Sequence, residues 1–234
     1  MKYAIIAAGE GSRLVQEGVN VSKPLVKLNG ISLIDRLIDI FIKNDAESIS
    51  IIVNNTMKDV QSHITSLQSN ISVPLNIVVK STPSSMHSFF ELSQFLQTGK
   101  FCLTTVDTIF KEDEFSQFIR AFIADTENEG MMAVTDYIDD EKPLYVGINS
   151  NMKINGFFDQ SDQTLKYVSG GIYGLSSKAI TTLNYCIENR FSRMRNYQRQ
   201  LIADGLNLKA FPFKKIIDVD HVKDIMKAEI FLLS

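Results

Sequence analysis

Short apolar runs alternate with helical patterns through the first half of this 234-residue chain, and that rhythm constrains the fold more than any other feature. Runs at Tyr3–Ala8, Ile49–Asn54, Leu75–Lys80, Phe101–Val106 and Met131–Tyr137 read as strands. Between them, Leu33–Asn44, Lys58–Gln68, Met86–Leu96 and Glu112–Asp125 carry helical spacing. Leu33, Leu37, Ile40 and Phe41 fall on one helix face, and Ser32 with Asp35 reads as a capping box. The runs show little apolar–polar alternation, as strands do when helices cover both faces of a sheet. The expected fold class is α/β: a doubly wound, mostly parallel, Rossmann-like sheet with its ligand beyond the carboxyl ends of the strands.

From about Asp139 the rhythm changes. Residues 139–174 are β-rich, with short strands at Tyr145–Ile148, Gly156–Phe158 and Tyr167–Tyr173. They read as a small antiparallel extension over the mouth of the sheet, within one domain spanning residues 1–234. Ser176–Ala203 returns to helix, Leu208–Val219 to strand, and His221–Leu233 to a closing helix. With 44% hydrophobic and 22% charged residues the chain can build a large core. A net charge of −3 argues against a nucleic-acid partner. No run reaches the ~20 apolar residues of a membrane span, so no membrane partner is expected. Cys102 and Cys186 stand far apart in apolar surroundings and read as free buried thiols. With no secretory signal pattern, the expected location is cytoplasmic.

The first strand empties into Gly9-Glu10-Gly11-Ser12-Arg13, and Ser22-Lys23-Pro24-Leu25 follows. Glycines let backbone N–H groups approach an anion closely. Arg13 adds a rigid fork of donors and Lys23 a mobile point charge. Leu14 stands where a dinucleotide fingerprint needs its third glycine, and the Gly-Lys-Ser/Thr of a P-loop is missing. The loop therefore reads as a phosphate grip of another kind.

The combined pattern is specific: strand, Ala7-Ala8-Gly9-x-Gly11-x-Arg13-Leu14, then Lys23-Pro24-Leu25, Leu28-Asn29-Gly30 and Leu33-Ile34. It resembles the sugar-1-phosphate nucleotidylyltransferases, whose relatives include phosphocholine cytidylyltransferase-like and molybdenum-cofactor guanylyltransferase-like enzymes. The resemblance implies transfer of NMP from an NTP to a phosphorylated small-molecule acceptor, with pyrophosphate released and Mg²⁺ required. It implies that Ala7, Ala8, Gly9, Glu10, Gly11, Ser12 and Arg13 hold the nucleotide, with Arg13 and Lys23 as the catalytic cations. Val15–Ser22 lacks the prolines and Pro-Leu-Thr common in the sugar 1-phosphate branch, which leaves the acceptor class open.

Mg²⁺ is usually held by one or two carboxylates together with substrate phosphates. Asp107 follows a strand at its carboxyl edge, where the resemblance places a metal-binding Asp. Asp220, and Asp218 beside it, sit at a later strand-to-helix junction where the family takes its second carboxylate. Their period-2 spacing puts both on one face if the strand persists, although either Asp also suits a helix cap. In similar enzymes the loop containing Ser84 and Ser85 touches base and ribose; a plain helix cap explains these serines equally well. His87 reads as a satisfied, partly buried histidine. Gly170, Gly171 and Tyr173 resemble a Gly-Ile-Tyr turn lining the acceptor pocket, against the alternative of a simple bulge. Arg190, Arg193, Arg195 and Arg199 read as the solvated face of one helix, with a homo-oligomer contact or an acceptor phosphate site as alternatives. Two other functions stay open: a catalytically silent nucleotide sensor and a glycosyltransferase of related fold.

Overall fold

The structure is a computed structural model that describes residues 1–161 and 164–234. The alternating part runs β1 (Lys2–Ala7), α1 (Ser12–Gln16), β2 (Lys27–Leu28), β3 (Ile31–Ser32), α2 (Leu33–Lys43), β4 (Ser48–Val53) and α3 (Lys58–Gln68). It continues through β5 (Leu75–Val79), α4 (Ser85–Ser93), β6 (Lys100–Thr105), β7 (Thr108–Ile109), α5 (Glu112–Ala124) and β8 (Gly130–Thr135). Then come β9 (Tyr145–Ile148), β10 (Ile154–Phe158), β11 (Tyr167–Ser176), α6 (Lys178–Glu188), α7 (Met194–Ala203), β12 (Leu208–Phe213), β13 (Ile217–Asp218) and α8 (Val222–Leu233).

One mixed sheet organises the chain, in the order β10-β9-β11-β6-β1-β4-β5, with β8 on the other flank of β11 and β12 beside β8. β1 lies parallel to both β4 and β6, with Ala7 opposite Val53 and Ile6 opposite Thr105. The carboxyl ends of these strands therefore line up, and the chain leaves β1 at the point where the sheet order reverses, the usual ligand crevice of such folds. Side chains of β1 alternate between two cores. Tyr3, Ile5 and Ala7 pack with residues of α2, α3, α5 and α8, whereas Ala4, Ile6 and Ala8 pack with α4, α6 and α7. Both faces are covered, which is why the strands read as continuous apolar runs. Tyr3 stacks on Phe41 with ring centroids 4.3 Å apart and donates its hydroxyl to the Asn44 carbonyl at 2.8 Å. Ser32 Oγ accepts from the Asp35 amide at 3.1 Å and caps α2 as expected.

The antiparallel strands β9–β11 are hydrogen-bonded into this same sheet and form no separate body. Tyr167 and Val168 of β11 pair with β9, while Ile172–Ser176 pair with β6. The register of β11 against β8 shifts between Ser169 and Tyr173, a bulge at Gly170-Gly171. Gly171 has φ +73°, and a Cβ there would sit 3.1 Å from Thr108 Oγ1. Three expectations are corrected. The strand expected over Leu208–Val219 is two, because β12 runs parallel to β8 and β13 leaves that sheet to pair antiparallel with β7. The helical stretch Ser176–Ala203 is also two, since Arg190 turns into the left-handed region at φ +60° after α6. The four arginines thus do not share a helix. Arg195 and Arg199 lie on α7, where both pair with Asp159 and Arg199 Nε donates to the Phe157 carbonyl at 3.0 Å.

Candidate active site

A cleft of about 820 Å³ opens at the carboxyl ends of β1, β4 and β6, within the size range of small-molecule sites. Its floor is the turn after β1. The amides of Gly9, Glu10, Gly11 and Ser12 donate to no acceptor among the described residues. Gly11 has φ +63°, a conformation that side-chain-bearing residues adopt only at a cost, and a Cβ there would meet Lys23 Cβ at 2.9 Å. The glycine is required twice over, for the turn and for the approach of Lys23. Asn54, at the end of β4, ties the neighbouring loops together. Its amide nitrogen donates to the Ala8 carbonyl at 3.4 Å, and its oxygen accepts from Ser81 Oγ at 2.7 Å and Thr56 Oγ1 at 2.9 Å.

Lys23 begins a 3-10 turn, Lys23–Leu25, with Pro24 fixing the backbone beside it. Ser22 anchors that turn to α3 by donating to Asp59 Oδ1 at 2.8 Å. The Lys23 side chain is only 8% exposed, and its ammonium donates to Asp107 and, at 2.6 Å, to Asp220. Burial disfavours the charged ammonium, but the two carboxylates outweigh it and hold the lysine above its usual pKa. Asp107 shows the mirror image: burial alone would raise its carboxyl, yet Lys23 holds it below the usual range.

The β7–β13 ladder brings the carboxylates together. Asp218 stands opposite Thr108, and the Val219 amide donates to the Asp107 carbonyl at 3.1 Å. The strand does not persist through Asp220, but Asp218 and Asp220 both line the cleft with Asp107. Neither caps α8; His221 occupies that position, and its amide donates to Asp224 Oδ2 at 2.9 Å. Asp218 opens to the cleft yet is crowded by protein and by its neighbours. Burial, Asp107 and Asp220 together push its carboxyl up to about 8. Asp107, Asp220 and Asp218 offer hard oxygen donors, the chemistry that suits Mg²⁺. Among the described residues no group of three or more His, Cys, Asp or Glu is placed to hold a metal ion by itself.

A second, smaller cavity adjoins the first across Arg13. Arg13 Nη1 donates to Asp220 Oδ2 at 3.1 Å, and Nη2 lies 3.6 Å from Glu141 Oε2. His221 lines this cavity with Nδ1 2.6 Å from Glu17 Oε1. The Val222 amide donates to the other oxygen of Glu17 at 2.7 Å. These bonds, the one from His221 foremost, hold the Glu17 carboxyl below its usual range.

A family model described as nucleotidyl transferase matches residues 2–234. The chain belongs to the nucleotidyl transferase family. No curated protein matches its sequence. Solved structures share the fold at low identity. An inositol-1-phosphate CTP transferase from T. maritima is 19% identical with TM-score 0.77, covering 99% of this chain and 97% of its own. A protein described as a glucose-1-phosphate thymidylyltransferase of Bacillus anthracis, solved with sucrose, is 19% identical with TM-score 0.84, covering 99% and 94%. HddC from Yersinia pseudotuberculosis is 19% identical with TM-score 0.73, covering 98% of each chain.

Within this nucleotidyl transferase, Ala8, Gly9, Glu10, Gly11, Ser12, Arg13, Lys23, Ser84 and Ser85 line the large cleft with the three aspartates, while Ala7 lies in the core. His87 is partly buried and its Nδ1 lies 2.9 Å from Ser84 Oγ. Of the residues expected at the acceptor, Gly170 lines the second cavity, Gly171 forms the bulge, and Tyr173 is buried in the core. Sequence reasoning missed Asn54, Glu17 and Glu141, and it gave His221 no role. A single polar residue after a strand carries no motif, and the Glu17–His221 pair spans most of the chain.

Proposed function

We propose that this nucleotidyl transferase moves an NMP group from an NTP to a sugar 1-phosphate or a similar phosphorylated alcohol, in a Mg²⁺-dependent reaction. The observation that carries the reading is the buried Lys23 ammonium bridging Asp107 and Asp220, beside Arg13 and the amides of Gly9–Ser12, which have no acceptor among the described residues. An oxygen of the acceptor phosphate attacks the α-phosphorus, the bond from that phosphorus to the bridging oxygen breaks, and pyrophosphate leaves. The nucleophile is already ionised, so positioning and charge neutralisation supply the rate. The amides of Gly9–Ser12 and the Arg13 guanidinium grip the leaving phosphates; Arg13 exchanges its carboxylate partners for them. Lys23 meets the α-phosphate and the incoming phosphate, where negative charges are forced together. Asp107 and Asp220, with Asp218 beside them, would hold Mg²⁺, which neutralises phosphate charge when bound. The second cavity takes the acceptor. The buried free cysteines Cys102 and Cys186 agree with a reducing, cytoplasmic setting.

A screen of the four common NTPs against hexose 1-phosphates, amino-sugar phosphates and phosphocholine tests the proposal through pyrophosphate release. One pair should give Mg²⁺-dependent release that Asp107→Ala abolishes. NTP binding without turnover across the panel would favour a sensor, and sugar transfer from a ready-made nucleotide sugar a glycosyltransferase.

A further inference from the structure

We infer that Lys23 and Arg13 stand as counter-ions on the metal-binding carboxylates and hold that site closed until an NTP arrives, so that a divalent cation binds weakly without nucleotide. The inference rests on the reading that Asp107 and Asp220 hold the metal, and it gives the two cations a task besides gripping phosphates. The Lys23 ammonium donates to Asp107 Oδ2 and, at 2.6 Å, to Asp220 Oδ1. Arg13 Nη1 donates to Asp220 Oδ2 at 3.1 Å. Both oxygens of Asp220 and one of Asp107 are thus committed to protein cations. A divalent ion held through the two oxygens that converge on Lys23 would lie against the ammonium, and like charges at that range repel. The metal enters only as the ammonium leaves.

Leaving has a cost that a nucleotide offsets. The Lys23 side chain is 8% exposed, and among the described residues its ammonium donates only to those two carboxylates. A buried charge stripped of its partners is expensive. The stem gives it a route: Cβ, Cγ and Cδ run past Gly11, all within 3.6 Å of where a Cβ on that glycine would stand. Lys23 sits in a 3-10 turn with Pro24 beside it, so its backbone stays in place while the outer bonds of the side chain rotate. Rotation there carries the tip between the carboxylates and phosphates lying on the Gly9–Ser12 turn. Arg13, half exposed, adjoins the same turn. A triphosphate on those amides gives both cations new anionic partners and releases Asp107 and Asp220 to the metal. Such coupling is reciprocal, so metal and NTP each raise the affinity of the other.

Equilibrium dialysis of Mn²⁺ against nucleotide-free protein tests this without turnover, since Mn²⁺ shares the oxygen-ligand preference of Mg²⁺. Wild type should bind the ion weakly. Lys23→Met should bind it about tenfold more tightly, because a like charge beside the ion is removed. Arg13→Gln frees one oxygen of Asp220 and should bind it about threefold more tightly. Arg13 is half exposed, so this variant carries the test if Lys23→Met does not fold. Adding Asp107→Asn to Lys23→Met should erase the gain. A second measurement keeps the two readings apart: Mn²⁺ should tighten a fluorescent NTP analogue on wild type, and Asp107→Asn should abolish that tightening. If the tightening is absent or survives Asp107→Asn, the metal reading falls and this inference falls with it. If the tightening behaves as expected but Lys23→Met and Arg13→Gln bind Mn²⁺ alone no better than wild type, only the inference falls. A gain in Lys23→Met that survives the added Asp107→Asn also overturns it, because the ion then sits elsewhere.

Discussion

Replacing Lys23 by Met tests the charge balance of the cleft without any substrate. The substitution keeps the length of the side chain and removes the ammonium that Asp107 and Asp220 share. Stripping one partner from a fully buried pair costs about 3–5 kcal/mol. Here the cost is lower. Asp220 is 44% exposed and keeps Arg13 at 3.1 Å, so its share falls toward the ~0–1 kcal/mol of surface pairs. Asp107 is 21% exposed and regains some water, which leaves about 2 kcal/mol in all. For a chain of this length that lowers Tm by about 4–8 °C. The loss should depend on pH. Lys23 holds the folded Asp107 carboxyl below its usual range, so this stability is present at neutral pH and vanishes as pH falls through the folded value. In the variant, burial without the ammonium raises the carboxyl, and protonation on acidification removes the uncompensated charge. Thermal melts with chelator at pH 7.5 and pH 5 decide the matter. Equal melting of the two proteins at pH 7.5, or a deficit that persists unchanged at pH 5, would refute the reasoning.

Gly11→Ala forces a methyl into the left-handed region and within 2.9 Å of Lys23 Cβ; it should cost about 1–2 kcal/mol and slow pyrophosphate release. Gly9→Ala, with no atom within 4 Å of the added carbon, should melt within about 0.5 kcal/mol of wild type. Asp218 carries a folded pKa of about 8, so in metal-free protein it takes up a proton on folding between its unfolded value and pH 8, and stability falls as pH rises through that window. Asp218→Asn should flatten this decline and raise the Tm of metal-free protein at pH 8; an unchanged pH profile counts against the crowding. Asn54→Ala unties Ala8 from Ser81 and should raise the KM for NTP by several-fold, with a stability loss of about 2 kcal/mol measured by denaturant titration.

Much of the fold was legible because local and tertiary preferences agree. Lys58–Gln68 and Tyr145–Ile148 have the boundaries expected from periodicity, and Leu33 starts its helix where Ser32 caps it. Disagreement arises where pairing partners lie far apart in sequence. Leu208–Val219 looks like one strand because apolar content says nothing about which sheet each end joins. Arg190–Arg199 looks like one helix because nothing in charge spacing marks the left-handed turn at Arg190. At the site, Arg13, Lys23 and Asp107 stood out through residue type beside glycine, proline and strand ends. Glu17, Asn54 and Glu141 are ordinary polar residues whose roles come only from their neighbours.

The sequence by itself determined a doubly wound sheet and a glycine turn at the end of β1, since apolar periodicity and the φ freedom of Gly11 are properties of the chain and its backbone. Tertiary structure alone decided that Lys23 is buried between Asp107 and Asp220, and that Asp218 is crowded enough to retain a proton. Those outcomes depend on desolvation and on distances of a few ångströms between residues up to about two hundred positions apart. Such energies arise only when the β7–β13 ladder closes and water leaves.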